Sequence, residues 1–160
     1  MRAAVITVSD RSARGERPDL SGPAAADRLR RAGIEVVVEK VVPDEFKEVS
    51  AALRACCSPR GGIDVVITTG GTGLSLRDIT PEATLSIIER PIPGIAEALR
   101  RAGAAKTPNA MLSRGVAGAV RTTLIINLPG SPAAVEDGMD VVLPIVEHAV
   151  GVLKGEAPDG

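Results

Sequence analysis

Two hydrophobic periods take turns along this chain, and that alternation constrains its fold more than any other feature. The runs "RAAVITVS" (residues 2–9), "IEVVVEKVV" (34–42) and "IDVVITT" (63–69) are nearly continuous and β-branched, the pattern of strands. Between them the apolar residues recur at helical spacing. Residues 23–32 place Ala25, Leu29 and Ala32 on one face with Arg28, Arg30 and Arg31 elsewhere, and Gly33 follows as a C-terminal cap. A second helix, opened by Pro43-Asp44, spaces Phe46, Val49, Leu53 and Cys56. Strand-helix alternation with short connections predicts an α/β sandwich built on a mostly parallel sheet.

The second half continues the pattern. A helix is expected over residues 80–88, with Thr80 as N-cap and Pro81 in the first helical position. Another, "IAEALRRAG", follows Pro93-Gly94 and is closed by Gly103. Residues 112–117 and 122–127 read as β segments. The last helical stripe carries Val135, Met139, Val142, Val146, Val150 and Leu153, and Pro144 is expected to split or kink it. The final "EAPDG" reads as a frayed tail.

The 160 residues fit a single domain, residues 1–160, long enough to bury about 70% of the surface its unfolded chain exposes. There is one Phe, Phe46, and no Trp or Tyr, so the core must be aliphatic. The net charge of −1 has no basic stripe, and stacking aromatics are missing, which argues against nucleic acid as a partner. No apolar run approaches the ~20 residues of a membrane span, and Met1-Arg2 running straight into a strand-like segment reads as a start without a signal peptide. Cys56 and Cys57 are adjacent, about 100° apart on a helix, and read as reduced core thiols of a cytosolic protein.

In such folds ligands bind at the carboxyl ends of the strands. That rule selects the loops after Ser9, Val42, Thr69 and Asn127. After Thr69 comes "GGTG", which lacks the Lys of a Walker loop and the third glycine of a dinucleotide fingerprint. It is either a tight turn or a set of backbone N–H groups open to an anion. Arg77 and Asp78 follow, just before a helix start. Asp78 is a dipole-stabilising carboxylate or a magnesium ligand; Arg77 grips a phosphate or pairs with Asp78. Asp44, in "VVPDE", is an N-cap or a second carboxylate facing the same site, and Mg²⁺ that bridges phosphates takes one or two carboxylates.

The remaining loops offer "NLPGSP", where Asn127, Gly130 and Ser131 form a turn and cap or a second anion site, and "SDR", where Ser9 and Asp10 add a polar wall or a plain turn. "LSRG" exposes Ser113 and Arg114, as a solvated strand end or as contacts to phosphate or a polar ring. His148 is the only histidine and lies far from these loops in sequence, so a multi-histidine metal site is excluded and a Ser-His-Asp triad is disfavoured. Chemistry that relies on positioning and charge neutralisation, such as phosphoryl or nucleotidyl transfer, fits this inventory.

"TTGGTG…RD.TPEA", "VPDE", "LSRGVAG" and "NLPGSP" together resemble the molybdopterin adenylyltransferase family of molybdenum cofactor biosynthesis, of the Mog/MoaB type and related to the gephyrin G domain. The likeness runs over about residues 4–153. It implies a three-layer α/β/α sandwich, a cytoplasmic homotrimer, and Mg²⁺-dependent transfer of AMP from ATP to the terminal phosphate of molybdopterin. It also implies hand-over of the activated pterin to a molybdate-inserting protein.

On this chain the resemblance implies that Asp44 and Asp78 hold Mg²⁺ and orient the triphosphate. Gly70, Gly71, Thr72 and Gly73 would cradle phosphates, with Thr80 and Glu82 shaping the pocket. Ser113 and Arg114 would touch pterin or its phosphate, and Asn127, Pro129, Gly130 and Ser131 would complete the opposite wall. Some paralogues have an altered "RD.TPEA" and an incomplete acidic pair. Both are intact here, which favours the active branch over the alternative, a non-catalytic trimer that holds or delivers the pterin.

Overall fold

A computed structural model describes residues 1–156, so the tail expected at "EAPDG" lies, from residue 157 on, outside the described residues. The strands are β1 (Arg2–Val8), β2 (Glu35–Val42), β3 (Val65–Thr69), β4 (Arg90–Pro91), β5 (Ala117–Val120) and β6 (Thr123–Leu128). The helices are α1 (Asp10–Ala13), α2 (Ser21–Arg31), α3 (Phe46–Cys56), α4 (Thr80–Leu85), α5 (Pro93–Ala104) and α6 (Pro132–Leu153), with a 3₁₀ turn at Pro108–Leu112.

The strands form one sheet in the order β2-β1-β3-β6-β5-β4. β1 pairs in parallel with β2 and β3, and β3 with β6; β5 runs antiparallel to both its neighbours. The two-residue period of a strand divides the core into two layers. Ala3, Val5, Val65, Ile67, Leu124 and Ile126 face α2, α5 and α6. Ala4, Ile6, Val8, Val66 and Ile125 face α3 and α4. Leu29 and Leu53, the central knobs of α2 and α3, are fully buried, each contributing about 1.5–3 kcal/mol. This is the three-layer α/β/α architecture with a mostly parallel sheet. Among the described residues no helix is long and apolar enough to cross a membrane.

Several local expectations change. Pro144 does not split the last helix: α6 is continuous from Pro132 to Leu153, because Val135, Met139, Val142, Val146 and Val150 are buried on both sides of the proline and offset its one missing N–H bond. The strand expected at residues 112–117 begins only at Ala117, since Pro108 starts a 3₁₀ turn and the Arg114 N–H donates to the Thr72 carbonyl (2.8 Å) rather than to a strand. α5 runs one residue past Gly103. Phe46, expected on the apolar face of α3, is 44% exposed at its first turn. Burial pushes both thiols up, Cys57 to about 12, which keeps them protonated.

Chain order takes β1 to β2 on one side and then to β3 on the other. The crevice at the carboxyl ends of β1 and β3 is therefore the switch point where α/β folds bind ligands.

Candidate functional site

A cavity of ≈1210 Å³ opens at that switch point. Among its lining residues are Ser9, Asp44, Gly70 to Gly73, Asp78, Ser113, Asn127, Pro129, Gly130 and Ser131, drawn from all four strand-end loops.

The glycine loop is built by necessity. Gly70 and Gly71 have φ of +91° and +65°, the left-handed region that L-residues avoid. A Cβ on Gly70 would sit 2.4 Å from the Val8 carbonyl oxygen, and one on Gly71 would sit 2.2 Å from Thr80 Oγ1. The loop is tied down by Gly70 N–H to the Leu128 carbonyl (3.1 Å), Thr80 N–H to the Gly71 carbonyl (3.1 Å) and Thr80 Oγ1–H to the Gly70 carbonyl (2.9 Å). Thr80 is thus the loop's anchor rather than the N-cap of α4, which is Ile79. The N–H groups of Gly71, Thr72, Gly73, Gly130 and Ser131 have no acceptor among the described residues. Ser131 Oγ caps α6 by accepting from the Ala134 N–H (3.2 Å).

Both aspartates lean on this loop. Asp44 Oδ1 lies 3.2 Å from where a Cβ of Gly71 would be, and Asp78 Oδ2 lies 2.9 Å from that of Gly73. Asp44 is not an N-cap; Glu45 holds that position in α3. Its Oδ2 accepts the Asp10 N–H (2.7 Å), and its own N–H donates to Asp10 Oδ1 (2.9 Å). Asp78 Oδ2 accepts the Ser75 N–H (2.9 Å). Each carboxylate so keeps one oxygen, Oδ1, without a hydrogen bond to a described residue. Burial pushes the Asp44 carboxyl above the ordinary range; the Asp10 N–H works against this, while the charges of Asp10 and Asp78 add to it. Asp10 itself is opposed by burial but held low by the Asp44 N–H and Arg77.

Arg77 does not pair with Asp78. It forks onto both oxygens of Asp10 (2.9–3.0 Å) and reaches Glu45 Oε1 (2.9 Å). Asp10, Arg77, Thr80, Glu82 and Arg114 are not among the residues lining the cavity; Asp10, Thr80 and Arg114 bond to residues that are, and Arg77 and Glu82 pair with Asp10 and Arg114 behind them. Arg114 pairs with Glu82 and holds its carboxyl below the usual range. Asn127 lines the cavity floor with its polar atoms already engaged: its Nδ2 donates to Thr68 Oγ1 (2.9 Å) and Thr84 Oγ1 (3.0 Å), and its Oδ1 accepts the Val116 N–H (3.2 Å).

The cavity also has a side that motif reading passed over. Asp19 accepts from Thr7 Oγ1 (2.6 Å), from Ser21 Oγ (3.3 Å) and from the Gly22 N–H (3.0 Å), and Ser21 Oγ meets Thr69 Oγ1 at 2.9 Å. Lys106, ion-paired with Asp137, and Arg100 line the same cavity. The signal for Asp19 was the Asp-x-Ser-Gly run opening α2, a turn in which an Asp side chain takes a backbone N–H. Arg100 and Lys106 carry no local signal, because α5 and the turn after it bring them in.

Among the described residues no three His, Cys, Asp or Glu side chains gather as a metal cage. The donor set fits a different arrangement. Two carboxylates, each with an unengaged oxygen and one of them destabilised by like charge, suit a hard divalent cation that keeps waters and takes its other ligands from phosphate.

A family model described as a probable molybdopterin binding domain matches residues 4–148. The molybdopterin adenylyltransferase of Helicobacter pylori J99 is 37% identical over 153 residues, 94% of this chain and 86% of that protein. The molybdenum cofactor biosynthesis bifunctional protein of Chlorobaculum tepidum is 37% identical over 97% of this chain, which spans only 49% of its length. A crystal structure of the molybdopterin biosynthesis enzyme MoaB from Thermus thermophilus superposes with a TM-score of 0.90 at 44% identity, covering 96% of each chain. A molybdopterin biosynthesis protein from Mycobacterium abscessus gives 0.87 at 42%, over 96% of this chain and 94% of that one. With the family model spanning most of its length and the fold shared with these relatives, the chain belongs to the molybdopterin-binding domain family.

Proposed function

We propose that this chain acts in molybdenum cofactor biosynthesis as a molybdopterin adenylyltransferase, transferring AMP from ATP to the terminal phosphate of molybdopterin. The carrying observation is the convergence of Asp44 and Asp78 on a loop of acceptor-free N–H groups at one cavity. Relatives of matching length that bear the adenylyltransferase name support the reading.

In this reading the N–H groups of residues 71–73 receive phosphate oxygens, and those of Gly130 and Ser131, at the start of α6, receive a second phosphate. Asp44 and Asp78 hold Mg²⁺, which when bound supplies charge neutralisation to the triphosphate. An oxygen of the pterin's terminal phosphate attacks the α-phosphorus of ATP. The new P–O bond forms as the bond to the β-phosphate's bridging oxygen breaks, and the electron pair leaves on pyrophosphate. The attacking oxygen is already ionised near neutral pH, so the step requires alignment and electrostatics rather than a general base. A cavity of ≈1210 Å³, above the range of about 300–1,000 Å³ usual for one small ligand, supports a site for two.

The test is incubation with α-labelled ATP, Mg²⁺ and purified molybdopterin. Adenylated pterin and pyrophosphate in equal amounts are expected. Tight pterin binding with no pyrophosphate release would instead identify a protein that holds or delivers the pterin.

A further inference from the structure

Arg114 sits in an unusual position for a residue expected to touch a ligand. Its side chain is spent on main-chain carbonyls. Nε donates to the Gly73 carbonyl (2.8 Å), an Nη donates to the Asp78 carbonyl (2.7 Å), and the other Nη pairs with Glu82 on α4. Its backbone N–H donates to the Thr72 carbonyl (2.8 Å). One residue therefore grips both ends of the 73–78 loop and ties them to the helix that follows.

Between those ends the main chain makes few bonds of its own, and one side-chain tether leaves it, from Arg77 to Asp10 and Glu45. Leu74, Ser75, Leu76 and Arg77 are exposed, Leu76 almost fully. Within the loop only the Asp78 N–H to Ser75 carbonyl bond (2.9 Å), the Ser75 N–H to Asp78 Oδ2 bond and a Ser75 cap on Arg77 supply structure. Arg114 in turn is placed from behind. Arg100 of α5 donates to the carbonyls of Ser113 (3.4 Å) and Gly115 (3.0 Å), the residues flanking it.

We infer that Arg114 is a positioning residue: it buckles the 73–78 loop so that the Asp78 carboxylate faces Asp44 without a ligand having to organise it. This rests on the reading of Asp78 as a cation ligand. The geometry explains why the residue is arginine. Three separate acceptors, two carbonyls and a carboxylate, need the fixed fork of a guanidinium; a lysine ammonium on a flexible stem cannot span them. Fixing a loop in advance removes the ordering entropy that ligand binding would otherwise have to overcome.

The experiment compares wild type, Arg114→Lys and Glu82→Gln by two readouts that do not require turnover. The first is amide hydrogen exchange of residues 73–78 against the strands β1, β3 and β6. The second is Mn²⁺ affinity by electron paramagnetic resonance in the presence of a non-hydrolysable ATP analogue. In Arg114→Lys, loop exchange should accelerate about tenfold or more with strand protection unchanged, and Mn²⁺ affinity should fall about tenfold. Glu82→Gln, which keeps the fork but weakens its anchor, should move both in the same direction by less, and carries the comparison alone if Arg114→Lys does not fold. Unchanged loop exchange would overturn the proposal, as would faster exchange with unchanged Mn²⁺ affinity. If wild type binds no Mn²⁺, the cation reading of Asp78 fails, and with it the purpose assigned to the buckle; the exchange result then still reports separately whether Arg114 holds the loop.

Discussion

Asp10 and Asp44 clasp each other by a reciprocal pair of bonds, each carboxylate accepting the other's backbone N–H at 2.7 and 2.9 Å. The pair joins the loops after β1 and β2 and fixes the angle at which Asp44 enters the cavity. It also sets two like charges side by side, and Arg77, from the loop after β3, neutralises one of them. Asp10→Ala should therefore release Asp44. AMP transfer should fall by about 10–100-fold, with a loss of stability of about 1–2 kcal/mol read from urea midpoints. Arg77→Ala should act in the same direction through Asp10, with a smaller stability change because the arginine is exposed. An Asp10→Ala variant with unchanged kcat would separate Asp10 from the chemistry.

Two glycine substitutions should part sharply. Gly71→Ala forces a left-handed backbone and drives a Cβ to within 2.2 Å of Thr80 Oγ1, so a loss of about 2–4 kcal/mol is expected together with the loop's anchor. Gly94→Ala, in the first turn of α5, meets nothing within 4 Å and has no positive φ. It should be neutral or stabilising by up to about 1 kcal/mol. Thermal melting of the two variants decides the matter.

Asn127→Ala should be among the most damaging substitutions that leave the carboxylates in place. It strips partners from the buried hydroxyls of Thr68 and Thr84 and from the Val116 N–H. A loss of about 2–4 kcal/mol in denaturant unfolding is expected. The residue reads in sequence as a polar strand end facing a ligand, and its engagement is invisible there because Thr68, Thr84 and Val116 come from three other segments.

Much of the scaffold was legible for the opposite reason. The β-branched runs and the helical stripes are local, and both layers of the core follow from their parity and period. Gly-Gly after β3 announced a tight turn, and both glycines there take positive φ. What stayed hidden depends on residues meeting across the fold. Arg77 and Asp78 are neighbours in sequence, yet Arg77 turns to Asp10, 67 positions away. Arg114 looked like a solvated or ligand-facing cation, and nothing within "LSRG" reveals that three carbonyls and a carboxylate surround it. Pro144 looked like a break because sequence shows the lost bond but not the sheet that the helix packs on.

Stability should depend on pH through Asp64. Burial opposes its ionisation, but the Lys154 ammonium (2.7 Å) and the Arg2 N–H (2.7 Å) outweigh it and hold the folded carboxyl below 3.8. With the folded value below the unfolded one, the contribution is fully present above the unfolded pKa and is lost as pH falls through the folded pKa. Asp64→Asn should flatten this acid limb. In urea titrations, the gap between wild type and variant should be wide at pH 6 and narrow toward pH 3. A gap that stays constant across that range would assign the loss to packing.

The central claim is that Asp44 and Asp78 together hold the cation that nucleotidyl transfer needs. It is met most directly by single-turnover AMP transfer in Asp78→Asn, with melting temperature and pterin binding measured on the same preparation. Amide for carboxylate keeps an acceptor for the Ser75 N–H while removing the charge. Transfer slowed by about a thousandfold, with folding and pterin binding near wild type and no rescue by ordinary Mg²⁺ concentrations, is the expected result. Full-rate transfer by a folded Asp78→Asn would contradict it.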